Sequence, residues 1–367
     1  MSARRRPLLA LAAVVALTLP WLAARGLGLV PTLAVTVVIL LSGVAVIGAA
    51  FLLTWAAETA EIDVPRSFAL AVLAVIAVAP EYAVDALYAW EAGANPGTQA
   101  SINAANLAVA NMTGANRILI GLGWSLIALY AIYRARTSDD AAVVRKPGFL
   151  ADAVTLEPRI SIELCFLGVA TVYALLIPLG GGIDAIDAIV LVGLYAAYVV
   201  VILRGETAHD AQLGVPGYLQ RLPRGSRIPV VLVMFAFSAA VILLAVKPFA
   251  KGLETLGPRL GLSSFFMIQW VAPLASESPE FIATAYLVRK LRTTAAFNAL
   301  ISSKLNQWTL LIGTLVVVYS LSLGAYGVLQ FSQKQAGEIW LTAAQSFFAV
   351  MLLLNLEIAI REALLLL

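Results

Sequence analysis

Charged residues are scarce in this chain of 367 residues: Asp, Glu, Lys and Arg make up 12% of it, while hydrophobic residues make up 61%. A soluble globular chain carries about 25% charged residues. A protein of this size cannot cover its surface with so few charges, so the composition excludes a soluble protein. It predicts an integral, multi-pass protein of the plasma membrane, in contact with the lipid bilayer.

Cysteine and histidine are almost absent, with one residue of each, Cys165 and His209. A single cysteine excludes an intrachain disulfide and a cysteine metal cluster. His209 lies in a polar stretch, which argues against metal binding or a proton relay by histidine. The net charge of +3 is too small to indicate a nucleic-acid partner, and nothing in the sequence predicts an organic cofactor.

The chain also lacks the motifs of hydrolytic enzymes, namely His-Glu-x-x-His, Gly-x-Ser-x-Gly and a catalytic Cys–His pair. Asp85 and Asp184 would form a catalytic dyad only if the fold brought them together, and nothing in the sequence does so. The sequence therefore predicts a protein that is not an enzyme, with an intramembrane enzyme as a disfavoured alternative.

Long apolar runs are what the chain does contain. Runs of this kind cross a hydrocarbon core of about 30 Å as helices. Eleven are found, at residues 8–25, 32–57, 67–90, 103–133, 161–179, 184–203, 228–250, 263–288, 295–321, 336–354 and 355–367. The last is too short to cross a membrane at about 1.5 Å per residue, so we expect a half-span or the start of a longer helix there.

The distribution of Lys and Arg in the connections predicts the orientation. If the N-terminus with its Arg4–Arg6 run is cytoplasmic, seventeen basic residues of the connections lie inside and five outside, as the positive-inside rule requires. The segment 1–31 has two interpretations, an extra N-terminal helix or a secretory signal peptide. Both leave the topology of the later segments unchanged.

A polar connection at residues 204–227, predicted to be cytoplasmic, divides the chain into halves at 32–203 and 228–367. Each half carries a Pro-Glu pair inside an apolar span, Pro80-Glu81 and Pro279-Glu280. Each pair is followed by a helix rich in Asn, Ser and Gly. This internal similarity predicts that the two halves are repeats.

An odd number of membrane crossings separates the two Pro-Glu helices, so they run in opposite directions. We therefore predict an all-α bundle of two inverted five-helix repeats, with about ten core helices and the extra N-terminal one. Inverted repeats are typical of secondary transporters, in which the substrate binds near the middle of the membrane between the repeats.

The residue types at these positions favour a cation site. A carboxylate at the bilayer centre costs several kcal/mol unless it has a partner or a bound cation. Pro80 and Pro279 cannot donate to the carbonyl groups one turn earlier, at Ile76 and Ala275, so these oxygens are available. Carboxylate and carbonyl oxygens suit Ca²⁺ or Na⁺.

Two further acids lie on the same helical faces, Asp85 four residues after Glu81 and Glu277 three residues before Glu280. Up to four acids are thus expected to point into one chamber. We expect Glu81 and Glu280 to bind the ion directly across one gap, and Asp85 and Glu277 to act as accessory ligands or protonatable partners. Neutral oxygen ligands are expected from Asn111, Asn116, Ser276, Ser303 and Gln307.

Two basic residues, Arg117 and Lys304, lie in corresponding apolar segments of the two halves. One interpretation is structural pairing with Asp85 or Glu277. The other is charge balancing by a tethered cation that occupies an ion subsite and changes the number of ions exchanged. A single Pro-Glu pair could likewise be a kink with a buried salt bridge, but two copies in opposite orientation favour an ion site.

Through these motifs the sequence resembles the calcium/cation antiporter superfamily, and specifically the membrane domain of sodium/calcium exchangers, over residues 35–135 and 230–355. That family has two inverted repeats, each with a Gly-Thr-Ser-x-Pro-Glu-like helix and a Gly-Ser-Asn-like helix. The resemblance implies that Glu81 and Glu280 are the two central Ca²⁺ ligands. It also implies that Ser276 and Ser303 are hydroxyl ligands and that residues 114–116 match the Gly-Ser-Asn segment.

The chain departs from the family pattern, as a divergent member of bacterial type. Ala77 and Val78 replace a hydroxyl pair, Glu277 stands where a serine is expected, and Lys304 falls in the second Gly-Ser-Asn segment. We therefore predict an antiporter that exchanges small inorganic cations, Ca²⁺ for Na⁺ or H⁺, by alternating access. The alternative is a Na⁺/H⁺ exchanger on the same scaffold, because one of several neighbouring acids can carry a proton.

Overall fold

The computed structural model describes residues 5–63, 79–204 and 213–367. Helices form most of it, which confirms the predicted all-α class. In chain order they are α1 Arg5–Gly26, α2 Val35–Ala60, α3 Ala79–Ala94, α4 Gln99–Ile118, α5 Ser125–Arg134, α6 Ser161–Ala174, α7 Ala185–Arg204, α8 Gly214–Leu219, α9 Arg224–Arg259, α10 Ser264–Phe266, α11 Ala272–Arg289, α12 Thr293–Asn306, α13 Ile312–Leu323, α14 Gln333–Leu352 and α15 Ile360–Leu366.

Short segments of other geometry join these helices. The 3₁₀ segments are Val30–Thr32, Pro158–Ile160 and Ile177–Gly180, and the π-helical segments are Leu119–Trp124, Met267–Val271 and Gln307–Leu311. The strands are β1 Val143–Val144, β2 Ala153–Thr155, β3 Gly182–Ile183, β4 Leu329–Gln330 and β5 Glu357–Ala359. None of the strands was predicted.

Seven helical stretches of the described chain are long and apolar enough to cross a membrane: Arg6–Gly26, Val35–Ala60, Gln99–Arg134, Ser161–Gly180, Ala185–Arg204, Arg224–Arg259 and Thr293–Leu323. Each coincides with one of the predicted apolar runs. The two longest composite stretches continue through a π-helical segment, so α4 joins α5 and α12 joins α13 without a break. The chain is therefore a multi-pass membrane protein.

The other predicted runs have mixed outcomes. The runs at 263–288 and 336–354 are helical, as α10 to α11 and as α14, but neither is among the seven apolar stretches. Only the part of the run at 67–90 from Ala79 onward is described. The half-span predicted at 355–367 is wrong for residues 357–359, because these form a strand rather than a helix.

That strand belongs to a small sheet whose other two strands lie in the connection between α5 and α6. The order of the sheet is β1-β2-β5, antiparallel throughout, with Ala153 opposite Ala359. An ion pair between Lys146 and Glu357 supports the same contact. Residues 357–359 thus pair with this connection.

The chain divides into two compact units. Unit 1 comprises the described parts of Met1–Leu87 and Val199–Pro279, and unit 2 comprises Tyr88–Tyr198 and Glu280–Leu367. Each unit takes residues from both halves of the sequence. The inverted-repeat arrangement and the boundaries at 31, 203 and 227 remain predictions, and so does retention of the N-terminal helix.

Unit 1 is built on close packing of α2 against α9 and α1. A Cβ on Gly252 would lie 2.5 Å from Cγ1 of Ile39, and one on Gly43 would lie 2.9 Å from the ring of Phe249. A Cβ on Gly48 would lie 3.0 Å from Cγ2 of Thr18 in α1. Because contacts this close leave no room for a side chain, glycine is required where α2 meets its neighbours.

A buried ion pair fixes the end of α2 to the start of α9. The guanidinium of Arg227 donates to both carboxylate oxygens of Asp63 at 2.6 Å, and to the carbonyl oxygens of Gln220 at 2.9 Å and Leu222 at 2.8 Å. This hydrogen bonding with Arg227 holds the pKa of Asp63 below its usual range. The side chain of Asp63 is accordingly only 10% exposed.

The Asp63–Arg227 pair gives a stability prediction with a matched control. Arg227→Gln is expected to lower the free energy of unfolding by about 3–5 kcal/mol, because it leaves a buried carboxylate without its main partner. Arg224 lies 3.6 Å from the same Asp63 but is 72% exposed, so Arg224→Gln is expected to cost about 0–1 kcal/mol. Thermal unfolding of the purified protein in detergent measures both.

The same pair predicts a pH dependence. The pKa of Asp63 is lower in the folded state than its unfolded value of about 3.9. The stability that the ion pair contributes is therefore fully present above the unfolded pKa, and it is lost as the pH falls through the folded pKa. The difference in melting temperature between the wild type and Asp63→Asn should therefore shrink below about pH 4. A difference that stays constant down to pH 2 would contradict this assignment.

Candidate functional site

The two Pro-Glu pairs lie on α3 and α11, at Pro80-Glu81 and Pro279-Glu280. Ile76, Ala77 and Val78 lie outside the described residues, so the carbonyl expected to be available at Ile76 remains a prediction, as does the one at Ala275. In the second half, the π-helical segment Met267–Val271 directly precedes α11. A π segment widens the helix and leaves backbone groups outside the regular pattern, and such segments are frequent at functional sites.

In unit 1, Glu81 is the centre of a buried polar cluster. Its carboxylate is 2% exposed and accepts a hydrogen bond at Oε2 from the hydroxyl of Ser276 on α11. Asp85 on the next turn of α3 is fully buried, and Glu277, next to Ser276, is 3% exposed. The fold of unit 1 therefore joins the first predicted glutamate to the predicted hydroxyl ligand of the second half.

In unit 2, Glu280 has an equivalent partner. Its Oε2 accepts a hydrogen bond of 2.9 Å from the hydroxyl of Ser303 on α12. The hydroxyl of Thr284 donates to the main-chain carbonyl of Glu280 at 2.9 Å. Each predicted glutamate thus carries one serine hydroxyl on a carboxylate oxygen, and both serines were predicted as ligands.

The predicted amide ligands are fully buried in unit 2. Asn111 and Asn116 lie on α4, and Gln307 is the first residue of the π-helical segment after α12. Asn116 donates from Nδ2 to the carbonyl of Met112 at 2.8 Å. This hydrogen bond fixes the side-chain amide, with its Oδ1 directed away from the Met112 carbonyl. The amide oxygens expected at an ion site are therefore present in the helices that the sequence predicted to be polar.

Arg117 pairs with Glu338 of α14, through Nη2 and Oε2. Pairing of Arg117 with Asp85 or Glu277 stays a prediction, and the sequence did not indicate Glu338 as a partner. Arg117 is 11% exposed and Glu338 18% exposed. No signal in the sequence pointed to this acid, because it lies in a segment without a repeat motif.

Lys304 is fully buried and has neutral partners. Its Nζ lies 2.8 Å from Oδ1 of Asn116, 3.4 Å from the main-chain oxygen of the same residue, and 4.2 Å from the centre of the Trp308 ring. The expected pairing of this lysine with an acid is replaced by an amide and an aromatic ring. Trp308 thus packs against the lysine.

Carboxylates alone do not form a metal site in the described part of the chain. Residues 5–63, 79–204 and 213–367 contain no group of three or more His, Cys, Asp or Glu side chains that could hold a metal ion. An ion site formed by these described residues would therefore need hydroxyl, amide or carbonyl oxygens beside its carboxylates. His209 lies outside the described residues.

Two further π-helical segments, which the sequence pattern did not indicate, adjoin the polar helices of unit 2. Leu119–Trp124 follows α4 directly after Arg117-Ile118, and Gln307–Leu311 follows α12 directly after Asn306. In the first, a Cβ on Gly123 would lie 3.0 Å from the ring of Phe281, the neighbour of Glu280. The glycine therefore allows α11 to approach the π-helical segment Leu119–Trp124 closely, one residue from Glu280.

Comparison with known proteins agrees with this geometry. The family model described as sodium/calcium exchanger protein matches residues 34–204 and 230–367. A crystal structure of the H⁺/Ca²⁺ exchanger CAX is 44% identical, covers 98% of this chain and 86% of its own, and superposes with a TM-score of 0.89. No curated protein sequence matches this chain.

More distant structures share the fold. Two structures of the sodium-calcium exchanger NCX_Mj, soaked with Na⁺ and Sr²⁺, are each 14% identical to this chain. They cover 90% and 91% of it, and 95% and 96% of their own chains, with TM-scores of 0.53 and 0.55. The family match extends over both halves of the sequence, and the chain is therefore a membrane antiporter, not an enzyme, that belongs to the sodium/calcium exchanger family.

Proposed function

We propose that this protein exchanges Ca²⁺ for H⁺ by alternating access, with Glu81 and Glu280 as the carboxylates that bind both ions in turn. The observation that carries the proposal is the serine hydroxyl on each glutamate, Ser276 on Glu81 and Ser303 on Glu280. The other predicted acids, Asp85 and Glu277, are proposed as accessory ligands or protonatable partners.

The choice of Ca²⁺ rests on the chemistry of the donors. Carboxylate, hydroxyl and amide oxygens are the ligands that Ca²⁺ prefers, in sets of six to eight at about 2.3–2.6 Å. The buried residues Asn111 and Gln307 supply amide oxygens of this kind. Soft ligands that would favour transition metals are nearly lacking, since the chain has one cysteine and one histidine.

The choice of H⁺ as the counter-ion rests on the serine partners. A serine hydroxyl donates to an ionised carboxylate, and by rotation it accepts from a protonated one. The Glu81–Ser276 and Glu280–Ser303 pairs can therefore remain hydrogen-bonded with or without the proton. Such pairs suit carboxylates that gain a proton when Ca²⁺ leaves. The H⁺/Ca²⁺ exchanger CAX, 44% identical to this chain, supports the same choice.

Ion coupling is tested with the full chain reconstituted in proteoliposomes. Vesicles with an acidic interior are expected to take up radiolabelled Ca²⁺, and nigericin with K⁺ on both sides, which collapses the pH gradient, is expected to stop the uptake. Vesicles loaded with Na⁺ at equal pH on both sides are expected not to take up Ca²⁺. Protein-free vesicles provide the background.

Each other outcome assigns a different function. Ca²⁺ uptake driven by internal Na⁺ at equal pH would make the protein a Na⁺/Ca²⁺ exchanger and overturn the choice of H⁺. Acidification driven by Na⁺, without dependence on Ca²⁺, would establish the alternative Na⁺/H⁺ exchanger.

A further inference from the structure

Lys304 is a fully buried basic residue of α12. This helix is part of Thr293–Leu323, one of the seven stretches long and apolar enough to cross the membrane. Placing an ammonium group at such a depth costs free energy, and it is retained where it has partners or a function. A methionine of similar length would fill the same space without that cost. The position of the charge therefore calls for an explanation beyond packing.

The groups around Nζ are those that bind a monovalent cation. The side-chain oxygen of Asn116 lies at 2.8 Å and its main-chain oxygen at 3.4 Å. Nζ also lies over the face of the Trp308 ring, 4.2 Å from the centre of the ring. Amide and carbonyl oxygens are typical ligands of hard cations, and an aromatic face attracts a cation through its quadrupole.

The ammonium also lies next to the proposed Ca²⁺ ligands of unit 2. Lys304 directly follows Ser303, whose hydroxyl is bonded to Glu280 at 2.9 Å. Asn116, predicted as an ion ligand, directs its amide oxygen at the lysine, while its Nδ2 is held by the carbonyl of Met112. The lysine thus takes up an oxygen that a small cation would otherwise coordinate.

We propose that the Lys304 ammonium is a tethered cation that occupies a monovalent-cation position between Asn116 and Trp308, and so prevents Na⁺ from serving as a coupling ion. The inference rests on the proposed Ca²⁺/H⁺ exchange and names the residue that selects against Na⁺. The positive charge is supplied by the chain, so that position needs no ion from solution.

Three variants test the inference in pH-driven Ca²⁺ uptake, with Na⁺ replacing K⁺ at constant ionic strength. Lys304→Met removes the ammonium and keeps the side-chain length, whereas Lys304→Arg keeps the charge. Lys334→Met, at an exposed lysine of α14, is the matched control. Ca²⁺ uptake by Lys304→Met is expected to become sensitive to inhibition by Na⁺, with an apparent Na⁺ affinity at least about tenfold higher than that of the wild type. The wild type and the other two variants are expected to remain indifferent to Na⁺.

Uptake by Lys304→Met that remains as indifferent to Na⁺ as that of the wild type would overturn the inference and leave Ca²⁺/H⁺ exchange standing. Absence of pH-driven Ca²⁺ uptake in the wild type would instead overturn the proposed function. The two failures are therefore distinguishable in one set of assays.

Equilibrium binding of radiolabelled Na⁺ to the purified protein tests the same position without transport. The wild type is expected to bind no Na⁺ that Ca²⁺ displaces, and Lys304→Met is expected to gain such binding. Displaceable Na⁺ binding to the wild type would overturn the inference, even if the methionine variant failed to fold.

Discussion

Glu81→Gln and Glu280→Gln are each expected to abolish Ca²⁺ flux in proteoliposomes. Glutamine keeps the size of the side chain and its ability to bond to Ser276 or Ser303, but it carries no charge and cannot release a proton. A carboxylate in contact with a divalent ion is expected to contribute more than about 2.8 kcal/mol to its binding. Because 2.8 kcal/mol corresponds to about a hundredfold in affinity, each substitution is expected to lower the Ca²⁺ affinity by more than a hundredfold.

The serines should behave differently from the glutamates. Ser276→Ala and Ser303→Ala leave the carboxylates in place and remove one hydrogen bond each, worth about 1 kcal/mol. We therefore expect the apparent Ca²⁺ affinity to fall by about fivefold in each serine variant. Similar values for the two serines are expected, because each has the same relation to its glutamate.

Glu254→Gln is the matched control for the glutamate variants. Glu254 lies near the end of α9 and pairs with Lys251 at 2.9 Å, one turn away on the same helix. Its substitution is expected to leave flux unchanged. Equal flux in the wild type, Glu81→Gln and Glu280→Gln would remove the basis of the site assignment.

The transmembrane helices could be predicted from the sequence because they depend on local composition. A run of about twenty apolar residues must form a helix in a bilayer, whatever it packs against. The predicted runs 103–133 and 295–321 accordingly coincide with Gln99–Arg134 and Thr293–Leu323. The candidate ion ligands could be proposed for a related reason, since an acid next to a proline is conspicuous in an apolar run.

The features that sequence reasoning missed depend on partners far apart in the chain. Arg117 and Glu338 are 221 residues apart, and Lys146 and Glu357 are 211 residues apart. A single sequence carries no record of which distant charges meet. Glu338 was therefore not among the expected partners of Arg117.

The π-helical segments were missed for another reason. Helical periodicity in a uniformly apolar run is weak, so an extra residue in one turn leaves no visible change in the pattern. Gly121 and Gly123 interrupt the run at Leu119–Trp124, but a glycine in a membrane helix is also common where helices pack closely. Gly123 does pack closely against Phe281, so its presence in the sequence does not by itself indicate a π-helical segment.

Breaking the Arg117–Glu338 pair is expected to have the largest effect on stability. The two side chains are 11% and 18% exposed, and removing one partner of a buried pair costs about 3–5 kcal/mol. Arg117→Gln and Glu338→Gln should therefore each lower the melting temperature and the yield of folded protein. The double variant should recover much of the loss, because it leaves neither charge behind.

The Lys146–Glu357 pair provides the control, since it also joins distant segments of unit 2 but is 39% and 28% exposed. Lys146→Gln and Glu357→Gln are expected to cost about 0–1 kcal/mol each. Equal losses from Glu338→Gln and Glu357→Gln would contradict the assignment of a buried, stabilising pair to Arg117.

Flux in the double variant Arg117→Gln/Glu338→Gln then separates the two roles considered for Arg117. If Glu338 neutralises the arginine, the pair is structural, and flux should return together with stability. We expect this result, because the carboxylate of Glu338 contacts the guanidinium directly. Recovered stability with an altered number of Ca²⁺ ions per proton would show instead that the charge of Arg117 acts on the ion site. Lys304, whose partners are neutral, would then not be the only basic residue with that function.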